Sequence, residues 1–344
     1  MRKFYFIRHA HPDIPIGERW CVGCKTDKPL NALGRMQAYL LGQEFKGRDI
    51  AGVYSSYLKR ATETASFISG DYVTFGGLEE KDMGEWDGLP FTEIMEKFPE
   101  TYAEREKDRS VLPEGGELPE EYKRRFAQAT SLLKILTAGD IAVVSHGGIM
   151  CDCFGNEKLP YTGYFVTDEN LQIIEDGLLP HPEMTRELAC GLRDAAGMLD
   201  RIKTHCDAVA AEALYIADEL IKNGVQLDRN LIECSAILHD IARLEKNHEA
   251  TGAKYMEMLG YPEVAGVIRQ HAEMDSDEIN EAAVVALADK VTKEDRHITI
   301  TERTDMIREK CREYGIEEIL DRRLNQALRV RDEINRICGK EILV

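Results

Sequence analysis

Histidines and arginines in the first half of the chain lie at positions where they could bind and transfer a phosphoryl group. Arg8 and His9 directly follow one short apolar run, and His146 directly follows another. Arg60 lies close to the start of a predicted helix, where free amides and the helix dipole favour an anion. An imidazole can attack phosphorus if nearby cations hold the phosphate and neutralise its charge. These residue types therefore predict a site in which an imidazole receives a phosphoryl group.

The elements around these residues alternate between short buried strands and helices. Strands are predicted over 3–7, 52–55, 72–75, 141–145, 164–167 and 171–174, and helices over 33–45, 58–68 and 118–136. This alternation predicts α/β layers around a largely parallel sheet, in which functional residues lie at the C-terminal ends of strands. Arg8, His9, Ser55, Ser56 and His146 all fall at such ends.

Five sequence blocks connect this half to a known family. They are Arg8-His9-Ala10, Pro29-Leu-Asn-Ala-Leu-Gly-Arg-Met-Gln-Ala38, Ser55-Ser-Tyr-Leu-Lys-Arg60-Ala-Thr-Glu-Thr-Ala, Leu78-Glu-Glu80-Lys-Asp-Met-Gly84-Glu-Trp86-Asp-Gly88 and Ser145-His-Gly-Gly148. In this order they resemble the histidine phosphatase, or phosphoglycerate-mutase-like, superfamily over residues 1 to about 175. The resemblance implies that His9 is the nucleophile and becomes transiently phosphorylated. It also implies that Arg8, Arg60 and His146 hold the phosphoryl oxygens, that Glu80 protonates the leaving group, and that this domain needs no cofactor.

Two departures from the family pattern bear on the substrate. The family usually has glycine after the nucleophile and a small hydroxyl residue soon after, whereas this chain has Ala10-His11-Pro12. The missing hydroxyl leaves the choice of substrate open. Because only a short segment separates His146 from the last predicted strands, a phosphatase is favoured over a mutase. The alternative interpretation is that His9 and His146 are buried structural histidines and that Arg60 is a solvated helix residue.

The second half of the chain has a different set of chemically active residues. His239 and Asp240 are predicted to lie inside an apolar helix, where an ionised carboxylate is costly unless something compensates its charge. His205 lies on the preceding predicted helix and Asp289 on a later one. Two imidazoles and two carboxylates suit a divalent metal ion that keeps open positions for water and substrate.

The order His205, His239-Asp240, Asp289 resembles the HD superfamily over about residues 198–295. The resemblance implies a metal-activated water that attacks a phosphate ester, often of a nucleotide, with Mn, Fe, Mg, Ni or Zn as one or two bound ions. His248 and His271 look like the additional histidines of HD proteins that hold two metals. They could instead be a helix cap and a surface residue. Lys290 could contact a substrate phosphate or be a solvated helix residue.

Length and patterning predict two domains. A chain of 344 residues exceeds one typical core, and Gly and Pro cluster near residue 180, after which helical periodicity dominates. Asp228 is predicted to cap the helix that reaches residue 241, and Gly260 to end another. We expect an α/β phosphoglycerate-mutase-like three-layer domain over 1–177, a linker over 178–186 and an all-α HD domain over 187–344.

Composition limits the partners. The formal net charge of −18 argues against binding to nucleic acid or to anionic membrane surfaces. The chain has no apolar run long enough to cross a membrane, and its nine cysteines suit reduced thiols. We therefore expect a cytoplasmic protein that acts on a phosphorylated, nucleotide-like small molecule, and self-association stays open.

Two interpretations of function follow. The first is a bifunctional phosphohydrolase, with a phosphohistidine phosphomonoesterase followed by a metal-dependent phosphohydrolase. The second is one working histidine phosphatase that is regulated by a non-catalytic, metal-bound HD module that senses a ligand.

Overall fold

The computed structural model describes residues 2–156 and 158–343, and these form two compact units, Met1–Pro180 and His181–Val344. Among the described residues, no helix combines the length and the apolar character that a membrane crossing needs.

The first unit is built on a six-stranded sheet with helices on both faces. Its strands are β1 (Phe4–Arg8), β2 (Ile50–Ser55), β3 (Val73–Thr74), β4 (Asp140–Ser145), β5 (Tyr164–Thr167) and β6 (Ile173–Gly177). Its helices are α1 (Ala32–Phe45), α2 (Lys59–Ile68), α3 (Phe91–Lys97), α4 (Pro99–Lys107), α5 (Pro119–Leu136) and α6 (Gly147–Phe154), with one 3-10 turn at Gly84–Trp86.

The sheet is mostly parallel, as the alternating pattern predicts. Its strand order is β3-β2-β4-β1-β5-β6. The first four strands in chain order run parallel, and β5 and β6 are antiparallel to their neighbours. Because β1, β2 and β4 are adjacent and parallel, the residues that follow each of them meet at one edge of the sheet.

Strand residues alternate between two cores, which makes three layers. Phe4 and Phe6 of β1 pack toward α5 and α6. Tyr5 and Ile7 point to the opposite face and pack with buried residues of α1 and α2. This period of two is what a sheet covered on both faces requires, and the fold is the predicted α/β three-layer class.

The second unit is helical except for one short hairpin. Its helices are α7 (Arg186–Ala195), α8 (Asp200–Lys222), α9 (Arg229–Leu238), α10 (His248–Met258), α11 (Pro262–Gln270), α12 (Glu281–Lys290), α13 (Ile300–Glu313) and α14 (Glu317–Cys338). The hairpin pairs β7 (Thr292–Lys293) with β8 (Arg296–His297). The sequence gives no strand signal here, because two-residue strands are too short for a period of two to appear.

Helix boundaries follow local capping chemistry. The carboxylate of Asp228 accepts a hydrogen bond from the amide of Leu231 at 2.9 Å, so this residue caps α9 as predicted. Gly260 follows α10 with a φ of +88°, which glycine adopts easily. The predicted end of α9 at residue 241 is wrong: the helix ends at Leu238, and His239 and Asp240 lie in the turns that follow it.

Helix α8 packs against α9 and α12, and α11 packs against α10, α9 and α12. Residues 282–288 of α12 are all buried, so this helix is central to the second core. These helices and the turns between them carry all six residues predicted to bind metal.

Candidate functional sites

The imidazole of His9 is oriented by a backbone carbonyl. It lies beyond the end of β1 and is almost completely buried. Its Nδ1 is 2.7 Å from the carbonyl oxygen of Ala10. Since a carbonyl can only accept, Nδ1 carries the proton and Nε2 of the neutral ring keeps its lone pair. The Nε–H of Arg60 donates to that Nε2 at 3.2 Å.

Both histidines at this edge are held in the neutral form. Burial lowers the pKa of His9 well below its ordinary value, and the charges of Arg60 and Arg8 lower it further. Burial likewise lowers the pKa of His146, with Arg60, His9 and Arg8 adding to the effect. The two rings lie 5.0 Å apart between centroids. A neutral, desolvated imidazole next to two guanidinium groups can act as a nucleophile toward an anion.

Arg60 is fully buried, so the interpretation as a solvated helix residue is wrong. It is the second residue of α2. Its Nη1 donates to the carbonyl of Thr26 at 2.7 Å, and its Nη2 donates to the carbonyl of Gly23 at 3.0 Å. The loop before α1 therefore fixes the guanidinium beside His9.

Two buried polar atoms at this edge have no partner within the described part of the chain. They are Nε of Arg8 and Nδ1 of His146. One other nitrogen of each side chain is anchored: Nη1 of Arg8 donates to the carbonyl of Leu159 at 2.6 Å, and Nε2 of His146 lies 2.9 Å from the hydroxyl of Ser56. Because buried polar groups normally have partners, these two atoms indicate a place for a polar ligand.

Glu80 reaches the same edge through the first turn of α6. Its carboxylate accepts hydrogen bonds from the amides of Gly148 and Ile149, each at 2.8 Å. These amides belong to the helix that begins immediately after His146. The structure therefore brings together His9, Arg8, Arg60, His146 and Glu80, which are the five residues predicted for the first site.

Tyr161 is a member of this site that the sequence analysis missed. The guanidinium carbon of Arg8 lies 3.9 Å from the centre of its ring, and the His9 and His11 ring centroids lie 5.7 and 4.9 Å away. The next residue, Thr162, is buried and has a φ of +59°, which is strained for a β-branched residue. No sequence pattern signals this contact, whereas Ser56 could be expected from its position after β2.

Three histidines of the second unit share one arrangement. Nδ1 of His239 lies 2.7 Å from the carbonyl of Ala236, and Nδ1 of His271 lies 2.7 Å from that of Ile268. Nδ1 of His205 is 3.3 Å from the carbonyl of Glu294. This contact fixes each ring and leaves Nε2 to act as a ligand, as is usual for histidines that bind metal.

The Nε2 atoms face two carboxylates. Nε2 of His205 is 3.0 Å from Asp289 Oδ1, and Nε2 of His239 is 3.6 Å from Asp240 Oδ2 and 3.8 Å from Asp289 Oδ1. Nε2 of His271 is 3.9 Å and Nε2 of His248 is 3.4 Å from Asp240 Oδ1. Two groups of three side chains, His205-His239-Asp240 and Asp240-His248-His271, have donor atoms within 4.8 Å of one another and share Asp240.

The chemistry of this donor set fits a divalent cation. A carbonyl at Nδ1 and a carboxylate at Nε2 both accept, so a cation is needed between imidazole and carboxylate, either a second proton or a metal ion. Nε2 of His239 is buried and forms no hydrogen bond with the described residues. Imidazole and carboxylate ligands suit Mn, Fe, Ni or Zn, and Mg is favoured less by the histidines.

Electrostatics support an ionised carboxylate in this cluster. Burial opposes ionisation of Asp289, but the hydrogen bond from His205 and the charges of His239 and Arg303 outweigh it. Together they hold the pKa of this carboxyl well below its usual range. Burial lowers the pKa of the neighbouring Lys290 to about 8.

The structure also bears on the alternative interpretations of His271, His248 and Lys290. His271 is only 3% exposed, so it is not a surface residue. His248 begins α10 with its ring near Asp240. The ammonium of Lys290 donates to the carbonyls of His271 and Ala272 and is not freely solvated. Arg243 and Arg303 were not predicted: their guanidinium groups lie 3.4 Å from Asp240 and 3.5 Å from Asp289.

Comparisons with known proteins match both units. The family model "Histidine phosphatase superfamily (branch 1)" matches residues 4–154, and the model "HD domain" matches residues 202–294. Phosphoglycerate mutase-like protein 4 of Arabidopsis thaliana is 34% identical over 133 residues, covering 36% of this chain and 58% of that protein. The mouse (Mus musculus) 6-phosphofructo-2-kinase/fructose-2,6-bisphosphatase 1 is 28% identical over 153 residues, covering 43% of this chain and 31% of that protein.

A solved structure of mycobacterial glucosyl-3-phosphoglycerate phosphatase in complex with VO3 aligns with 53% of this chain and 100% of its own, with a TM-score of 0.47 and 20% identity. This chain covers from about a third to somewhat more than half of the curated relatives above.

Fold and site together define the first unit as a phosphoglycerate-mutase-like α/β domain and the second as a helical domain with a histidine-aspartate cluster. The chain thus combines a domain of the histidine phosphatase superfamily with an HD domain.

Proposed function

We propose that this protein is a bifunctional phosphohydrolase. Its first unit hydrolyses a phosphomonoester through a phosphohistidine, and its second unit is a metal-dependent phosphohydrolase. The observation that carries the first activity is the orientation of His9, whose Nδ1 proton is fixed by the Ala10 carbonyl so that Nε2 presents a lone pair beside Arg60.

Phosphoryl transfer to the enzyme begins at Nε2 of His9. The lone pair forms a bond to phosphorus while the bond from phosphorus to the leaving oxygen breaks. Arg8, Arg60 and His146 hold the phosphoryl oxygens, and the unpartnered Arg8 Nε and His146 Nδ1 supply donors for them. The carboxyl group of Glu80 gives its proton to the leaving oxygen, so that an alcohol departs rather than an alkoxide.

Hydrolysis of the phosphohistidine uses the same groups in reverse order. A water molecule attacks phosphorus from the side that the alcohol has left, and the Glu80 carboxylate takes a proton from it. The N–P bond breaks, inorganic phosphate forms, and His9 returns to its neutral form. Low solvent exposure of His9 and His146 favours this covalent route, because few waters can compete with the His9 imidazole for attack on phosphorus in the first step.

In the second unit, His205, His239, Asp240 and Asp289 would hold one divalent ion, and His248 and His271 with Asp240 would hold a second. When bound, such an ion would supply a water activated for attack on a phosphate ester. The backbone carbonyls at Nδ1 orient the histidines, and Arg243 and Arg303 are placed to bind the anionic group of a substrate. The proposed substrate is a nucleotide or a nucleotide-like phosphate, in keeping with the HD resemblance.

One observation favours the alternative, in which the HD unit is a non-catalytic, ligand-sensing module. Each carboxylate of the cluster already has a guanidinium within 3.5 Å, Arg243 for Asp240 and Arg303 for Asp289. This arrangement balances charge and would also suit a site that binds an anion without transforming it.

A substrate panel on three proteins tests both activities. Wild type, His9→Asn and His239→Gln are assayed with nucleotide mono-, di- and cyclic phosphates and with simple phosphomonoesters, with and without a chelator. We expect His9→Asn to abolish chelator-resistant hydrolysis and the acid-labile, base-stable phosphoenzyme trapped from labelled substrate. We expect His239→Gln to abolish only the metal-stimulated hydrolysis.

The matched control is His297→Gln, which replaces a histidine that is 46% exposed and lies outside the cluster. It should retain both activities. A phosphoenzyme that persists in His9→Asn would contradict the first assignment. If wild type binds metal and a nucleotide but shows no metal-stimulated turnover, the regulatory alternative replaces the second activity.

A further inference from the structure

A cavity of about 520 Å³ lies in the first unit beside the second turn of α6. Its wall includes Cys151 and Asp152 from α6, Tyr122 and Lys123 from α5, and Arg109 from the segment between α4 and α5. None of these residues belongs to the set that holds the phosphoryl group.

Helix α6 connects this cavity to the phosphohistidine site. Its first turn contacts the site, because the amides of Gly148 and Ile149 donate to the carboxylate of Glu80. Its second turn lines the cavity through Cys151 and Asp152. At a rise of 1.5 Å per residue, Asp152 lies about 6 Å along the helix from Gly148. Measured along α6, the cavity wall at Asp152 therefore lies about one helical turn from the amides that hold the Glu80 carboxylate.

A second connection runs through the residue after Glu80. The ammonium of Lys81 forms an ion pair with the carboxylate of Asp152, and both side chains are mostly buried. The hydroxyl of Tyr122 donates to the same carboxylate at 2.9 Å. These contacts fix the cavity wall relative to Glu80 and satisfy the negative charge of Asp152.

Two cationic side chains of the cavity wall are free to bind an anion. Arg109 and Lys123 are exposed, and no carboxylate in the described part of the chain lies within ion-pair distance of either side chain. With Asp152 already paired to Lys81, the cavity has an excess of positive charge in a chain whose net charge is −18. A local field of this sign attracts an anionic group.

We propose that this cavity binds the alcohol portion of the substrate and selects phosphomonoesters whose leaving group carries an anionic group of its own. This inference rests on the proposed phosphatase function. The leaving oxygen must lie within hydrogen-bond reach of Glu80, so the alcohol portion starts beside the first turn of α6 and extends into the cavity. Arg109 and Lys123 bind a carboxylate or a second phosphate at its far end.

Matched substrate pairs test the proposal. Glycerol 3-phosphate is compared with 3-phosphoglycerate, p-nitrophenyl phosphate with 4-carboxyphenyl phosphate, and butane-1,4-diol monophosphate with its bisphosphate. The two carboxylate pairs and the bisphosphate pair distinguish which anion is preferred. We expect wild type to have the higher kcat/KM for the charged member of at least one kind of pair, mainly through a lower KM.

The variants Arg109→Gln and Lys123→Gln should each lower that preference roughly fivefold, which is the upper range for a partly exposed ion pair. The kcat/KM for the neutral members should fall less than that for the charged members. Arg124→Gln is the matched control, because Arg124 is an exposed neighbour on α5 that does not line the cavity. Added salt should weaken the preference in wild type through screening.

The possible results distinguish failure of the cavity proposal from failure of the proposed phosphatase function. A trapped phosphoenzyme and turnover without any preference for charged substrates would overturn the cavity proposal and leave the phosphatase intact. A preference that survives in both variants, or that falls equally in Arg124→Gln, would also overturn it. Absence of a phosphoenzyme and of turnover with every substrate would instead overturn the proposed function, and the cavity proposal with it.

Discussion

Histidines of both units are oriented by the same kind of contact with the backbone. His9, His205, His239 and His271 each have Nδ1 near a backbone carbonyl oxygen. In each case the carbonyl fixes the ring and assigns the proton to Nδ1, which leaves Nε2 for chemistry. At His9 the Nε2 lone pair accepts a hydrogen bond from Arg60 and lies where an anion held by the arginines would meet it. At the other three it faces carboxylates and suits a cation. The surroundings of Nε2, rather than the histidine itself, distinguish the two sites.

The buried histidines of the first site should make its stability depend on pH. The pKa of His146 is lowered well below 6.5 in the folded state, mainly by burial. Below pH 6.5 the unfolded chain therefore binds a proton that the folded chain does not, and the free energy of unfolding falls as the pH falls. The expected loss is about 1.4 kcal/mol per pH unit for this histidine, until its folded-state pKa is reached.

Urea unfolding of wild type and His146→Gln at pH 7.5, 6.5 and 5.5 measures this effect. Both tryptophans, Trp20 and Trp86, lie in the first unit, so tryptophan fluorescence follows that unit. The variant should lose less stability than wild type between pH 6.5 and 5.5, by about 1 kcal/mol, because the unfolded histidine is only half protonated at pH 6.5. Equal slopes in the two proteins would show that burial of His146 does not shift its titration.

At the residue scale, the sequence predicts which candidate site residues the fold brings together. It does not predict the other side chains that contact them. The five residues of the first site stand in ordered blocks, whereas Tyr161 contacts Arg8 from about 150 positions away and precedes Thr162, whose φ is positive. Such a conformation is imposed by the surrounding fold and is not encoded in a local pattern. Arg243 and Arg303 were missed for the same reason, since only the folded chain places them beside the cluster.

At the scale of elements, α6 links the phosphoryl site to Glu80, the group proposed to protonate the leaving oxygen. Gly148 has no side chain, and a Cβ built at this position would lie 2.7–2.9 Å from the Glu80 carboxylate. A methyl group there must displace Glu80. We therefore expect Gly148→Ala to lower kcat by at least about tenfold for alkyl phosphates, because a well-placed general acid contributes roughly 100-fold or more.

Leaving-group dependence distinguishes displacement of Glu80 from general damage. An alkoxide needs protonation, whereas p-nitrophenolate leaves readily without it. The loss of kcat/KM, which reports phosphoryl transfer to His9, should therefore be smaller in Gly148→Ala for p-nitrophenyl phosphate than for alkyl phosphates. Gly70→Ala is the matched control, since a Cβ at Gly70 meets nothing within 4 Å. Equal losses for both kinds of substrate would argue against a displaced general acid.

The boundary of α9 shows why periodicity locates elements better than their ends. The apolar pattern continues through residue 241, but the structure leaves the α-helix at Leu238. There the amide of Ile241 donates to the carbonyl of Leu238, and that of Arg243 to Asp240, both at 2.9 Å. Such i to i−3 bonds mark tight turns, and over a few residues they keep apolar side chains on the same side as an α-helix does. Periodicity alone therefore cannot mark this end.

At the scale of the whole molecule, composition and length predict the broad organisation because each unit has its own core. The sheet core of the first unit comes from alternating strand residues, and the helical core of the second centres on α12. These are averages over many residues, so single deviations do not obscure them. The side chains proposed to select the substrate are few and lie in loops and on helix surfaces. Their positions therefore do not follow from any pattern averaged over many residues.

Metal binding should stabilise the chain through the second unit. The side chains of the histidine-aspartate cluster come from α8, α10, α12 and the turns after α9 and α11, so an ion bound there would tie these elements together. A ligand that binds only the folded state adds about 2.7 kcal/mol when present at 100 times its Kd. We expect Mn²⁺ to raise the thermal unfolding midpoint and to slow amide hydrogen exchange over residues 200–290.

His239→Gln should lose both effects and the bound metal measured by elemental analysis, whereas His9→Asn and the control His297→Gln should keep them. Because none of these readouts depends on turnover, they hold for a catalytic or a regulatory HD unit alike. Retention of metal and of the full stability gain in His239→Gln would remove this histidine from the ligand set.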